Sequence, residues 1–121
     1  MDTALHVFVV DDDRSVLVAM ERLLRSSGFK VETFASGREF LDAVSPDMAG
    51  CAILDVQMPG MNGLELQEKM MASGYKVSIV FITAHPKDED RLRALRTGAV
   101  QYLEKPVSAD VLLPIVTAGR S

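Results

Sequence analysis

Cysteine is nearly missing from this 121-residue sequence: Cys51 stands alone, so no intrachain disulfide can staple the fold. It lies in the apolar run Cys51-Ala52-Ile53-Leu54 and reads as a small buried hydrophobe rather than a reactive thiol. A reducing, cytoplasmic setting is therefore the expectation. Basic residues are the minority, 13 Lys and Arg against 17 Asp and Glu, for a formal net charge of −4. That balance argues against direct nucleic-acid binding by this domain, which would rest on neutralising phosphates with Lys and Arg. No apolar run approaches the ~18 residues that a membrane span needs. Met1-Asp2-Thr3-Ala4 does not open a basic segment followed by an apolar stretch, so no secretory signal is expected. Repeats, linkers and low-complexity segments are absent too. The length fits one domain, expected over 1–121 with a core at about 5–117, and leaves no room for two.

What is present is a regular alternation. Leu5 to Val10 is a short apolar run ending in three aspartates and reads as a buried strand. Val16, Leu17, Met20, Leu23 and Leu24 recur at helical spacing, with Gly28 as the residue that ends the helix. A strand over Lys30–Phe34 follows. Ser36 and Glu39 have capping-box spacing and open a helix that turns Phe40, Leu41 and Val44 inward. Cys51 to Leu54 is a third strand, Pro59 to Gly63 a turn-rich loop, and Leu64, Leu66, Met70 and Met71 form a third helix ending near Gly74. Val77 to Ile82 is the most apolar strand. Asp88 to Thr97 is a charged helix with Leu92 and Leu95 expected inside, Val100 to Leu103 a fifth strand, and Ser108 caps a last helix bearing Val111, Leu112, Ile115 and Val116. Pro114 lies inside that helix, which predicts a kink or a late start, and fraying after Thr117. Five strand–helix units with near-continuous apolar strands imply an α/β, doubly wound parallel sheet covered on both faces.

In such sheets, ligands bind beyond the carboxyl ends of the strands. After the first strand come Asp11, Asp12 and Asp13; after the third, Asp55; at the end of the fourth, Thr83, then Ala84 and His85; after the fifth, Lys105 and Pro106. Asp13 is assigned to helix capping. Carboxylates packed together at low dielectric repel one another. A hard divalent cation relieves that, and Mg²⁺ favours a few carboxylates plus water and phosphate oxygens. With the cation and Lys105 neutralising phosphoryl oxygens and Thr83 donating a hydrogen bond, such a rim can make a carboxylate attack phosphorus. Singly each residue has an ordinary reading as turn, cap or surface; the specific signal is the order acidic pair, Asp, Thr, Lys-Pro at successive strand ends.

Val9-Val10-Asp11-Asp12-Asp13, the stretch from Leu54 through Asp55 and Gln57 to Gly63, Ile82-Thr83-Ala84 and Lys105-Pro106 resemble the signature of the response-regulator receiver family of two-component signalling, over nearly the whole chain. The resemblance implies a flavodoxin-like (βα)5 sandwich with strand order 2-1-3-4-5. It implies Asp55 as phosphoacceptor for a histidine kinase or phosphotransfer protein. Mg²⁺ would be held by Asp12 directly, with Asp11, Asp55 and the Gln57 backbone carbonyl. Thr83 and Lys105 match the switch hydroxyl and the phosphate-binding lysine, and Tyr102 the aromatic that swings inward on activation. Gln57 and His85, two past the acceptor and two past the switch threonine, match positions that modulate dephosphorylation. Gln57 is able to orient water; His85 is able to act as a base, because imidazole titrates near neutral pH. The segment from Gly98 to Val107 is most similar to receivers that precede LuxR-type helix-turn-helix domains, as in the FixJ group, which implies transcriptional output from a longer chain and homodimerisation on phosphorylation.

Two other readings compete. A haloacid-dehalogenase-type phosphatase also uses a strand-end Asp nucleophile with Mg²⁺, but it needs a second Asp two residues later, where Gln57 stands. A flavodoxin-like flavin binder wants a hydroxyl- and glycine-rich phosphate loop after the first strand, where three aspartates would repel phosphate. No P-loop or G-x-G-x-x-G is present.

Overall fold

Strand β1 (His6–Val10) carries its side chains alternately to two apolar layers, as a strand of period two must. The computed structural model that describes this chain covers residues 5–118. After β1 come α1 (Arg14–Ser26), β2 (Lys30–Phe34), α2 (Gly37–Ala43), β3 (Cys51–Asp55), α3 (Gly63–Ala72), β4 (Ser78–Thr83), α4 (Asp88–Arg96), β5 (Gln101–Glu104) and α5 (Ala109–Ala118). All pairings are parallel, in the order β2-β1-β3-β4-β5. This is the doubly wound sheet expected from the alternation. Among the described residues, no helix is long and apolar enough to cross a membrane.

The two faces of the sheet build separate cores. Phe8, Val10, Ala52, Leu54, Ile79 and Phe81 point to the side covered by α2, α3 and α4. Val7, Val9, Cys51, Ile53, Val80 and Ile82 point to the side covered by α1 and α5. Phe40 is the hub of the first layer, edge-on to Phe8 at 5.8 Å and to Phe34 at 5.6 Å between ring centroids. Fully burying side chains of this size contributes about 1.5–3 kcal/mol each. Cys51 is buried as expected, and burial pushes its thiol up to about 11, so it stays protonated and inert.

Helix ends follow local chemistry. Asp13 caps α1, with its carboxylate accepting the Ser15 N–H, and Ser36 caps α2, accepting the Glu39 N–H at 3.2 Å. Gly28 follows the end of α1 at a φ of +92°, a conformation that costs glycine little.

Four apolar residues depart from expectation. Leu92 is 50% and Leu95 37% exposed, and α4 buries Ala94 instead. Residues Asp90, Ala94 and Thr97 share one face, while Leu92 and Leu95 project about 160° and about 100° away from Ala94 at 100° per residue. The small side chain lets α4 approach the body, and the leucines are left outside. Met71 and Val111 are likewise exposed, on the outer faces of α3 and α5. Gln67 takes the inward place on α3, buried, with its Nε2 donating to the Ala94 carbonyl at 2.9 Å. The late start foreseen for α5 does not occur: the helix begins at Ala109, directly after Ser108, and Pro114 sits on its exposed side, where water can satisfy the freed Asp110 carbonyl. Of the fraying foreseen after Thr117, Ala118 is still within the helix, and the remaining residues lie outside the described ones.

Candidate functional site

The acidic run after β1 divides three ways. Asp11 still belongs to the sheet, its N–H donating to the Phe34 carbonyl at 3.0 Å, and its side chain is fully buried. Its Oδ1 accepts the Asp13 N–H at 2.9 Å. Asp12 is exposed at the rim. Asp13 is taken up by the cap, holding both the Ser15 N–H (2.9 Å) and the Ser15 hydroxyl (2.7 Å).

Asp55 ends β3 and is buried. The loop after it is pinned by an Asn62–Glu65 capping box with two 2.9 Å bonds, a spacing visible in the sequence but passed over there in favour of Ser36–Glu39. Gly63 opens α3 against Asp55: its N–H donates to the Val56 carbonyl at 2.9 Å, and a Cβ there would run into the Asp55 carbonyl oxygen. Only glycine fits this approach.

One carboxylate oxygen each from Asp11, Asp12 and Asp55 lies within 4.8 Å of the others. Lys105 Nζ reaches into the cluster, 2.8 Å from Asp11 Oδ2 and 3.5 Å from Asp55 Oδ1. Burial and the Asp11 charge push the Asp55 carboxyl up to about 7, against the opposing pull of Lys105. Burial works against the Lys105 charge, but Asp11 and then Asp55 outweigh it and hold the ammonium above its ordinary range. Three carboxylates thus face one ammonium. Among the described residues, Asp11 Oδ2 is buried without a directed hydrogen bond and has the Lys105 ion pair as its contact. A cluster of hard oxygen donors with surplus negative charge fits a divalent cation such as Mg²⁺.

Thr83 ends β4, fully buried, in a register that pairs Asp55 with the preceding Ile82. Its hydroxyl donates to Gln57 Oε1 at 2.5 Å and accepts the His85 N–H at 3.1 Å. The Gln57 side chain therefore lies on Thr83, a contact between residues 26 apart that no local pattern announces. His85 is tied in through its backbone, and its side chain is exposed. Tyr102 is half-buried in β5 beside Phe81, its ring centroid 6.3 Å away, and its hydroxyl accepts the Lys87 N–H at 3.4 Å at the start of α4. The residues singled out from the sequence thus form three groups: Asp11, Asp12, Asp55 and Lys105 together; Thr83 joined to Gln57 and His85; and Tyr102 set against α4.

Known proteins are similar to this chain in sequence and in fold. The family model described as response regulator receiver domain matches residues 7–117. Response regulator protein TodT from Pseudomonas putida is 38% identical over 118 residues, 98% of this chain and 52% of that protein. Transcriptional regulatory protein FixJ from Bradyrhizobium diazoefficiens is 37% identical, over 98% of this chain and 58% of that protein. Among solved structures, the response regulator StyR superposes with a TM-score of 0.89 at 46% identity, covering 96% of this chain and 59% of that one. The chain spans about half the length of the curated relatives it matches.

Proposed function

The chain belongs to the response regulator receiver domain family, and from that membership we propose that it is a phosphorylation switch whose acceptor is Asp55. The observation that carries this reading is the junction of buried Asp55 and Asp11 with Lys105 and the exposed Asp12 in one charge-strained cluster. A Mg²⁺ ion, held by Asp11, Asp12, Asp55 and the Gln57 backbone carbonyl, would supply the positive charge that phosphoryl oxygens need.

The chain's own residues do the rest. An Asp55 carboxylate oxygen bonds to phosphorus as the bond from phosphorus to the donor breaks, and the donor leaves with that electron pair. The donor is a phosphohistidine of a histidine kinase or phosphotransfer protein. Lys105 stands within reach of Asp55 to neutralise a phosphoryl oxygen, and the Thr83 hydroxyl donates to another. Tyr102 relays the change to α4. Gln57 and His85 flank the acyl phosphate and tune its hydrolysis, the only turnover the domain promotes. We place it in the cytoplasm as one receiver unit with its core at about 5–117. It relays its state, through homodimerisation on phosphorylation, to a transcriptional output such as the name of FixJ denotes.

The haloacid-dehalogenase alternative has no support, since the second Asp it requires is Gln57, which holds Thr83. The test is acetyl phosphate with Mg²⁺ followed by intact mass. The wild type gains one phosphoryl group and Asp55→Asn gains none; label in that variant at wild-type level would place the acceptor elsewhere.

A further inference from the structure

Thr83 has one hydroxyl proton, and the geometry accounts for it. The His85 N–H occupies a lone pair of Oγ1 at 3.1 Å, which fixes the hydroxyl's orientation, and the proton goes to Gln57 Oε1 at 2.5 Å. Thr83 is fully buried, so water does not compete for that proton, whereas the rest of Gln57 is exposed and free to turn away. Gln57 is two residues past Asp55, and Thr83 lies on the neighbouring strand one residue past the partner of Asp55. A phosphoryl oxygen on Asp55 and the Gln57 amide oxygen therefore want the same proton.

We infer that Gln57 is a positioning residue that holds the Thr83 hydroxyl in the unphosphorylated state, so that the phosphorylated state forms only by displacing it. This rests on the reading of Asp55 as acceptor, and it specifies what restrains the switch. A hydroxyl cannot donate to two acceptors with one proton, so the bond to Gln57 counts against the bond to phosphate. The released amide oxygen turns to solvent at little cost, because Gln57 already lies at the surface. The opposing contact is thus a single neutral hydrogen bond, enough to bias the switch without locking it. Removing it shifts the balance by what one such bond is worth net, about fivefold.

The probe is beryllofluoride, which occupies the acceptor as a phosphoryl mimic, titrated in the presence of Mg²⁺ with binding read from amide chemical shifts. Gln57→Leu, similar in size but without an acceptor, should bind it about fivefold more tightly than wild type, and Gln57→Ala should shift the same way. In a Thr83→Ala background, Gln57→Leu should change nothing, because the contested proton is gone. A second readout needs neither metal nor mimic: the Thr83 hydroxyl proton should be slow to exchange in the free wild type and fast in Gln57→Leu. An equal gain with and without the Thr83 hydroxyl, or no gain at all, overturns the inference and leaves Asp55 as acceptor untouched. Failure of the wild type to take up either beryllofluoride or a phosphoryl group from acetyl phosphate overturns the receiver chemistry itself.

Discussion

The two flanks of the site are built to different standards. On one side, every residue of β3 is buried, as are Val7 to Val10 of β1, and Asp11 and Asp55 issue from them with their backbones held in the ladder. On the other side, β5 buries none of its four residues fully, and α4 buries only Ala94. What fastens α4 there is sparse: the Gln67–Ala94 bond, the exposed Arg93–Glu68 ion pair at 2.8 Å, and the Tyr102 hydroxyl on the Lys87 N–H. Exposed ion pairs of this kind contribute only about 0–1 kcal/mol. Gln67 Oε1 is buried without a partner, so even the best of these attachments is half satisfied. Acceptor chemistry needs atoms held in place, and a switch needs an element able to move. Under the proposed function, the difference in packing suits the two flanks to these two tasks.

Truncation tests the contrast most forcefully. Leu54→Ala, in the fully buried β3, should cost about 3–5 kcal/mol, while Leu92→Ala on α4 should stay within about 0.5 kcal/mol. Urea unfolding of both variants checks this; similar losses would mean that α4 is as integral as the sheet.

A smaller effect follows from charge strain on the tight flank. Folded Asp55 keeps its proton up to about 7, well above its ordinary 3.8. Its contribution to stability is therefore fully present below about 3.8 and is lost as pH rises through about 7. In metal-free buffer, Asp55→Asn escapes that loss. The melting temperature of the variant should rise relative to wild type between about pH 4 and pH 8, by an effect on the order of a few kcal/mol. A difference that is flat with pH would show that the carboxylates are not strained.

Magnesium should relieve the same strain more modestly. At tenfold excess over its dissociation constant, linkage gives about 1.4 kcal/mol. The gain should be seen at pH 8 in wild type and should shrink in Asp55→Asn. An unchanged melting temperature across a Mg²⁺ titration of the wild type would remove the metal from the proposal.

Much of this was legible in the order of residues. The strand runs are apolar and short, their ends are marked by Asp, Thr and Lys-Pro, and the caps at Asp13 and Ser36 are local hydrogen bonds, so periodicity and spacing were enough. α4 was misread for a physical reason. Its leucines are its only large apolar residues, and a sequence pattern ranks faces by hydrophobicity, while the fold selected the face with the small residue that permits close approach. Met71 gave way to Gln67 similarly, because the Ala94 carbonyl accepts a hydrogen bond that an amide N–H donates and a thioether cannot.

The sequence by itself determined the sheet, its layers and the set of residues at its carboxyl edge, since these depend on period, capping and the chemistry of strand ends. Tertiary structure alone decided how those residues are paired. That Asp11 rather than Asp12 takes Lys105, and that Gln57 takes the Thr83 proton, depends on distances of about 3 Å between chain segments far apart in sequence. No spacing along the chain encodes a hydrogen bond across strands, because the partner's position is fixed only once both cores have packed.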